Sequence, residues 1–425
     1  MRRPATLALT LCWALGVSAA PLPDTLKLSI ADAESLFLRS NFQVIASRYS
    51  LEAAQAAVVQ AGLWANPNIA VEQNIHNQYT GRWFDVSSSG NTGVQIQQLI
   101  LLAGKRGKQE RLAALDAENA AADAADLVRT LKLRLRTTMY DLYYLQASVR
   151  FYDESIATLS ATVTMMEGIY ERRAILLAEL LRLKTLLFTL QNERLGLMAR
   201  IADAAAGLRV LIGDTAAVPR VYIPLVDAGR LDAVHADSLR YADLLAAALA
   251  HRPDLGRAAG AVLREEANLA YQHSLATPDL TVGGLWSRAG SYIPDYFALT
   301  FAIDLPLFNR NQGNISLSER TLDADRSLAA GARAAVAGEV AAALQRAAAM
   351  EHLYRSFDRK FPGQYRELVE GMIASYQRRN MSVIEFTDFI ESYRTSMLQM
   401  NQLGDDRADA LETLNYVTGT DLFTP

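Results

Sequence analysis

The chain has 425 residues, 51% hydrophobic and 21% charged, with a formal net charge of −4 and one cysteine. An acidic balance gives no electrostatic reason for a nucleic-acid partner. A lone cysteine, Cys12, leaves neither intrachain disulfides nor thiolate metal clusters.

Arg2 and Arg3 precede an apolar run from Leu7 to Val17, and Ser18-Ala19-Ala20 supplies small residues for cleavage. That order predicts a secretory signal peptide over 1–20, with an apolar run too short to span a bilayer. Leu11 before Cys12 argues against a lipid-acceptor cysteine. Beyond the leader no stretch approaches about eighteen uninterrupted apolar residues, so a membrane contact would have to be a closed β-barrel.

A helix is predicted from about Ile30 to Leu63, with Ser29 as its cap and Asp32 and Glu34 favouring its dipole. Two alternating segments come next, one carrying Ile69, Val71, Gln73 and Ile75, the other Val94, Ile96, Gln98 and Ile100. Period two over about ten residues reads as strands with one apolar and one polar face. Their loop, Asn77 to Gly90, is rich in Ser, Gly and Asn. From Gly104 to Arg173 apolar or small residues recur in steps of three and four, through Ala114, Val128, Leu135, Leu142, Leu145, Tyr152, Leu159 and Met166 to Tyr170. A 3.5-residue repeat of that length needs a partner helix, and at roughly 1.5 Å per residue it makes a rod of about 100 Å. The chain then reverses near 173–177 and returns on a helix ending at Gly213, a glycine C-cap. Residues 214–240, with Pro219, Pro224 and Gly229, read as an irregular linker or equatorial segment.

The second half of the chain repeats the first. Tyr170-Glu171-Arg172-Arg173 aligns with Tyr376-Gln377-Arg378-Arg379, and Leu208 to Gly213 aligns at the same offset with Leu414 to Gly419. Ala65-Asn66-Pro67-Asn68 echoes Ala276-Thr277-Pro278-Asp279. The chain is therefore read as an internal duplication, 21–213 and 241–425. Copy one has strands at about 67–77 and 92–102 and a helical hairpin over 104–212. Copy two has a helix from about Tyr241 to Ser274, strands at about 278–288 and 296–306, and a hairpin over 313–418 that Pro362 should kink. Trp83, Trp286, Tyr292 and Tyr296 near the strand ends fit an interfacial belt as well as ordinary turn aromatics.

The fold class expected is α+β: a duplicated helix–strand–strand–long helix–helix unit. Four strands cannot close a barrel, which takes about eight or more. Three chains would supply a 12-stranded barrel and, beneath it, an α-helical coiled-coil barrel, with the reversals at the opposite pole.

The residues also carry a family resemblance over nearly the whole mature sequence. Ala-Asn-Pro-Asn at 65–68, Leu-Pro-Leu-Phe-Asn-Arg-Asn-Gln-Gly at 305–313 and Tyr-x-x-x-Asn-Met-Ser at 376–382 resemble the TolC-type outer-membrane efflux proteins. Gly104-Lys105-Arg106 is similar to the heavy-metal (Czc-type) branch. The resemblance implies a homotrimeric exit channel embedded in outer-membrane lipid of a Gram-negative bacterium and reaching into the periplasm. It implies a periplasmic adaptor and an inner-membrane pump of the resistance-nodulation-division class as partners. Cargo, metal ions or small toxic compounds, would pass through without chemistry in this subunit. By the same resemblance Glu385 and Asp388, with Glu391 as a third position, ring the periplasmic mouth, where like charges would raise one another's pKa values. The tips Arg173, Ala174, Ile175, Leu176 and Arg379, Asn380, Met381, Ser382 would meet the adaptor. Copy one lacks the family's glycine and hydroxyl at its tip; apolar Ile175, Leu176 and Leu177 stand there instead, which points to a buried contact with a partner.

No cofactor or metal site is expected. The five histidines are scattered, the methionine pairs Met165-Met166 and Met397 with Met400 read as core filler, and no phosphate loop or catalytic triad occurs. An enzyme is not expected. A type I secretion duct stays open as an alternative; a periplasmic coiled-coil adaptor would leave the strands and the duplication unexplained.

Overall fold

The computed structural model describes residues 24–218, 220–289, 293–356 and 361–423. The leader, Cys12, Pro219 and Tyr292 lie outside them.

One order of elements runs twice. Copy one has helices α1 (Ile30–Ser40) and α2 (Phe42–Ala61), strands β2 (Asn68–Gln73) and β3 (Thr92–Ile100), then helices α3 (Lys105–Glu171) and α4 (Leu177–Leu211). Copy two has α6 (Tyr241–His251) and α7 (Pro253–Leu275), β5 (Leu280–Ala289) and β6 (Pro294–Ile303), then α8 (Gln312–Ser356), α9 (Phe361–Gln377) and α10 (Val383–Thr418). The 67 residues of α3 make one unbroken helix of about 100 Å.

Neither predicted leading helix is continuous. Asn41 leaves helical geometry (φ −67°, ψ 123°) and caps α2 by accepting from the Gln43 and Val44 amides, while its Nδ2 donates to the Leu211 carbonyl at 2.9 Å. The matching break in copy two is Arg252, held extended before Pro253. Each break seats against the end of the return helix of its own copy. Gly213 and Gly419 end α4 and α10 at φ 65° and 67°; a Cβ on Gly213 would meet the Ser40 carbonyl oxygen at 2.2 Å. Glycine is needed there for conformation and for space.

Residues 214–240 are not wholly irregular. β4 (Val221–Leu225) pairs in parallel with β1 (Thr25–Ser29), and α5 (Ala228–Ala233) comes after it. Ser29 then starts α1 with a reciprocal capping box to Asp32. In copy two the described residues are helical over Gln312–Ser356 and again over Phe361–Gln377, and the stretch just before Pro362, where a kink is expected, lies outside them.

The predicted seam of α3 is buried from Leu131 to Met166, against α4 on one side and α10 on another, while its first turns rest on α2 and α7. One apolar cluster joins Leu135, Met139 and Leu142 to Phe37, Leu208 and Tyr222. A second, nearer the reversals, joins Leu159 and Met166 to Leu183, Tyr376 and Phe386, with Met165 and Met397 packed against it. Those methionines are core filler, as the sequence indicates.

The four longer strands form one antiparallel sheet in the order β2-β3-β5-β6, open at both edges. Its register sorts the side chains. Val71 pairs with Val94, Val94 with Trp286 and Trp286 with Phe297; one step along, Ile69, Ile96, Gly284 and Leu299 align. All of these belong to one pleat face, and Phe297, Leu299 and Phe301 on it are exposed. The other face carries Gln95, Gln97, Thr281, Ser287 and Thr300.

Candidate functional site

The two reversals lie side by side at the far end of the helices from the sheet. At both, the chain turns through an arginine in left-handed geometry, Arg173 (φ 58°) and Arg379 (φ 62°). Each reversal closes the preceding helix in the same way: Arg173 N donates to Tyr170 O and Ala174 N to Ile169 O, as Arg379 N does to Tyr376 O and Asn380 N to Ser375 O. An L side chain in that geometry costs about 1–2 kcal/mol that glycine avoids. Arg173→Gly is therefore expected to raise stability by up to about 1 kcal/mol, read as a higher thermal midpoint. Arg379 differs: its Nη2 donates to the Ala174 carbonyl at 2.7 Å and ties one tip to the other.

The predicted docking residues divide on inspection. Ile175 and Met381 are half-buried against the core cluster of the hairpins, whereas Leu176 is 69% exposed. An open groove of about 480 Å³ runs between the tips, lined by Ala174, Ile175, Glu179, Arg379, Met381 and Ile384.

Ser382 starts α10 through a second reciprocal capping box, its hydroxyl accepting from Glu385 N at 3.2 Å while the Glu385 carboxylate accepts from Ser382 N (2.9 Å) and Oγ (2.8 Å). Those donors hold the Glu385 carboxyl below its ordinary range. Phe386, buried and stacked on Tyr376 at 4.6 Å, fixes the rotation of α10. That anchor leaves Glu385, Asp388 and Glu391 all exposed. Further along, Glu193 of α4 accepts from Tyr152 of α3 (2.8 Å) and Arg394 of α10 (3.1 Å), linking the two hairpins. Among the described residues no group of three or more His, Cys, Asp or Glu converges as a metal site.

At the opposite end, Gly104-Lys105-Arg106 has a structural task. Gly104 (φ 68°) turns strand into helix, and the buried Lys105 ammonium reaches Asp279 (2.7 Å) and the Thr277 carbonyl (2.7 Å) in copy two. Arg106 lies over the Trp64 ring at 4.3 Å. Sequence reading misses this junction, and also the buried charges of α10 and α3, because nothing along one helix says which charged residue faces another.

No family model and no curated protein matches the chain. Solved structures do. CusC, whose structures describe conformational changes accompanying folding and transmembrane channel formation, is 15% identical over 99% of this chain and 98% of its own (TM-score 0.73). The CmeC outer membrane channel of Campylobacter jejuni is 13% identical over 92% of this chain and 85% of its own (TM-score 0.75). The open-state MtrE outer membrane channel of Neisseria gonorrhoeae is 15% identical over 93% and 89% (TM-score 0.70). This chain folds as the TolC-type outer-membrane channels do.

Proposed function

We propose that the chain is one protomer of an outer-membrane exit channel in a tripartite efflux system. The register of the sheet carries this reading. An antiparallel sheet apolar on one face, polar on the other and unpaired at both edges suits a wall between lipid and water, completed by further copies of itself. Three copies make twelve strands, and their hairpins make the tube below, with the inter-repeat segment 214–240 as its equatorial girdle. The bacterium is Gram-negative, and the helical pole stands in its periplasm.

Glu385, Asp388 and Glu391 of three chains ring the inner mouth and favour cations. The groove between the tips, with exposed Leu176 beside it, receives a periplasmic adaptor, which joins the channel to an inner-membrane pump of the resistance-nodulation-division class. Cations, metal ions among them, are the favoured cargo given the acidic mouth; the channel conducts them passively.

Fractionation of cells expressing the full chain tests the location. The protein is expected in the outer membrane and to migrate differently on gels before and after boiling. Recovery in the soluble periplasmic fraction, with no heat-dependent shift, would overturn the proposal.

A further inference from the structure

The seam between α3 and α10 pairs the two helices antiparallel, and its partners are mostly complementary. Near the reversals Asn401 Nδ2 donates to Ser148 Oγ at 2.9 Å; towards the sheet Arg136 Nη1 donates to Glu412 at 2.8 Å. Between these two anchors the complementarity fails. Asp405 and Asp409, one turn apart on α10, come opposite Asp141 of α3, so carboxylate meets carboxylate. Asp405 is 8% exposed, and among the described residues no protein donor reaches its buried Oδ1 or that of Asp409. Arg200 of α4 stands 3.6 Å from Asp141 and is more than half exposed.

The helices pack closely at this step. Gly404, adjacent to Asp405, lets α10 approach the Tyr144 ring so closely that a Cβ would lie 2.6 Å from Cε1. Asp405 faces a cavity of about 140 Å³ bordered by Asp141, Tyr144, Ser148, Arg200 and Asn401. A buried carboxylate without a donor is tolerable when neutral and costly when charged. A bound proton neutralises such a carboxylate in place.

We propose that Asp405, Asp409 and Asp141 form a proton-operated latch in the helical shaft: protonated, it seats α10 on α3; deprotonated, it drives the two apart between their anchors. The charged and titratable groups facing the latch are Asp141 and Tyr144 of α3, Arg200 of α4, and Asp406 and Glu412 of α10 itself. On the α8 side, Arg407 is already engaged by Glu351 at 2.6 Å. Burial first, then repulsion from Asp409, Asp141 and Asp406, pushes Asp405 up to about 7. Burial, with Asp141, Asp406 and Glu412, pushes Asp409 up to about 6. Folded pKa values above the unfolded one mean that the fold holds extra protons. The stabilisation is complete below about pH 4 and is lost as pH rises to about 7. The latch rests on the protomer alone and does not depend on what the channel carries.

Hydrogen exchange of the purified full-length protein, read by mass spectrometry from pH 5.5 to 8 and corrected for intrinsic rates, tests it. Peptides covering 398–412 and 138–150 are expected to lose protection about tenfold or more as pH rises. In Asp405→Asn with Asp409→Asn, which mimics the protonated pair, protection is expected to stay high and flat. Asp141→Asn, which removes the repulsion from the α3 side only, lowers the folded pKa values and is expected to shrink the loss and move its midpoint to lower pH. A flat wild-type profile, or an unmoved midpoint in Asp141→Asn, would overturn the latch.

Discussion

Arg136→Ala is expected to lower stability by about 3–5 kcal/mol, one of the larger losses available in this chain. Arg136 is 3% exposed, and its guanidinium binds Glu34 of α1 at 2.5 Å, Glu412 of α10 at 2.8 Å and Asp421 of the C-terminal tail at 3.0 Å. It therefore joins the two copies through three carboxylates. Burial opposes its charge, but Glu412 and Glu34 hold its pKa above the ordinary value. Glu412, equally buried, is raised by that burial even with Arg136 beside it. Removing the arginine leaves Glu412 buried without its cation and raises it further. The deficit is then greatest at neutral and alkaline pH and shrinks in acid, where Glu412 takes a proton. Arg136→Met combined with Glu412→Leu should recover most of the loss, since an apolar pair is cheaper to bury than an orphaned charge. Thermal midpoints in detergent across pH read both variants. Equal losses for the single and double variants would show that packing, and not charge, holds this point.

The second large effect concerns assembly. The outward side of α4 carries Leu177, Leu181, Phe188, Leu195 and Met198, all exposed, with Lys184, Gln191 and Ala202 completing steps of four and three. The opposite side of α4 buries Leu183, Leu186 and Leu190 against its own chain. A helix with one seam filled and a second at 3.5-residue spacing left open is built for another helix. Under the proposed function that helix belongs to the neighbouring copy. Phe188→Asp with Leu195→Asp removes about 2–3 kcal/mol of burial per side chain at each of three interfaces and adds desolvated charge. The expected outcome is a folded protomer that does not assemble, with unchanged circular dichroism and a single-chain mass. A trimer of normal stability would move the interface elsewhere.

Much of this fold can be read along the chain because its patterns are long. A 3.5-residue seam kept over the length of α3 admits no other element, and alternation in β3 and β6 separates a lipid-like face from a wet one. Ser29 announces its helix by its acidic neighbours. The break at Asn41 gives a weaker signal, an N-cap residue type set in a helical pattern that runs on, with neither proline nor glycine beside it. Arg252-Pro253 does carry one, the restriction on a residue before proline. The pairing of β1 with β4 joins strands almost the full length of copy one apart, and a five-residue strand has too little alternation to declare itself. At the tip, the spacing of Glu385 and Asp388 is plain in the sequence. The Ser-x-x-Glu box that engages Glu385 is written there too. Asp405 and Asp409 look like one turn of a solvated face until α3 is laid against them. Charge spacing on one helix holds no information about the partner that buries it.

The central claim, that this chain forms a cation-favouring channel, is tested most directly by single-channel recording of the purified protein in a planar bilayer. Discrete conductance steps with a reversal potential favouring cations are expected, and Glu385→Gln with Asp388→Gln should reduce that preference while the steps remain. A bilayer that stays silent with assembled protein present would contradict the account, and steps whose selectivity the double variant leaves unchanged would remove these carboxylates from the mouth.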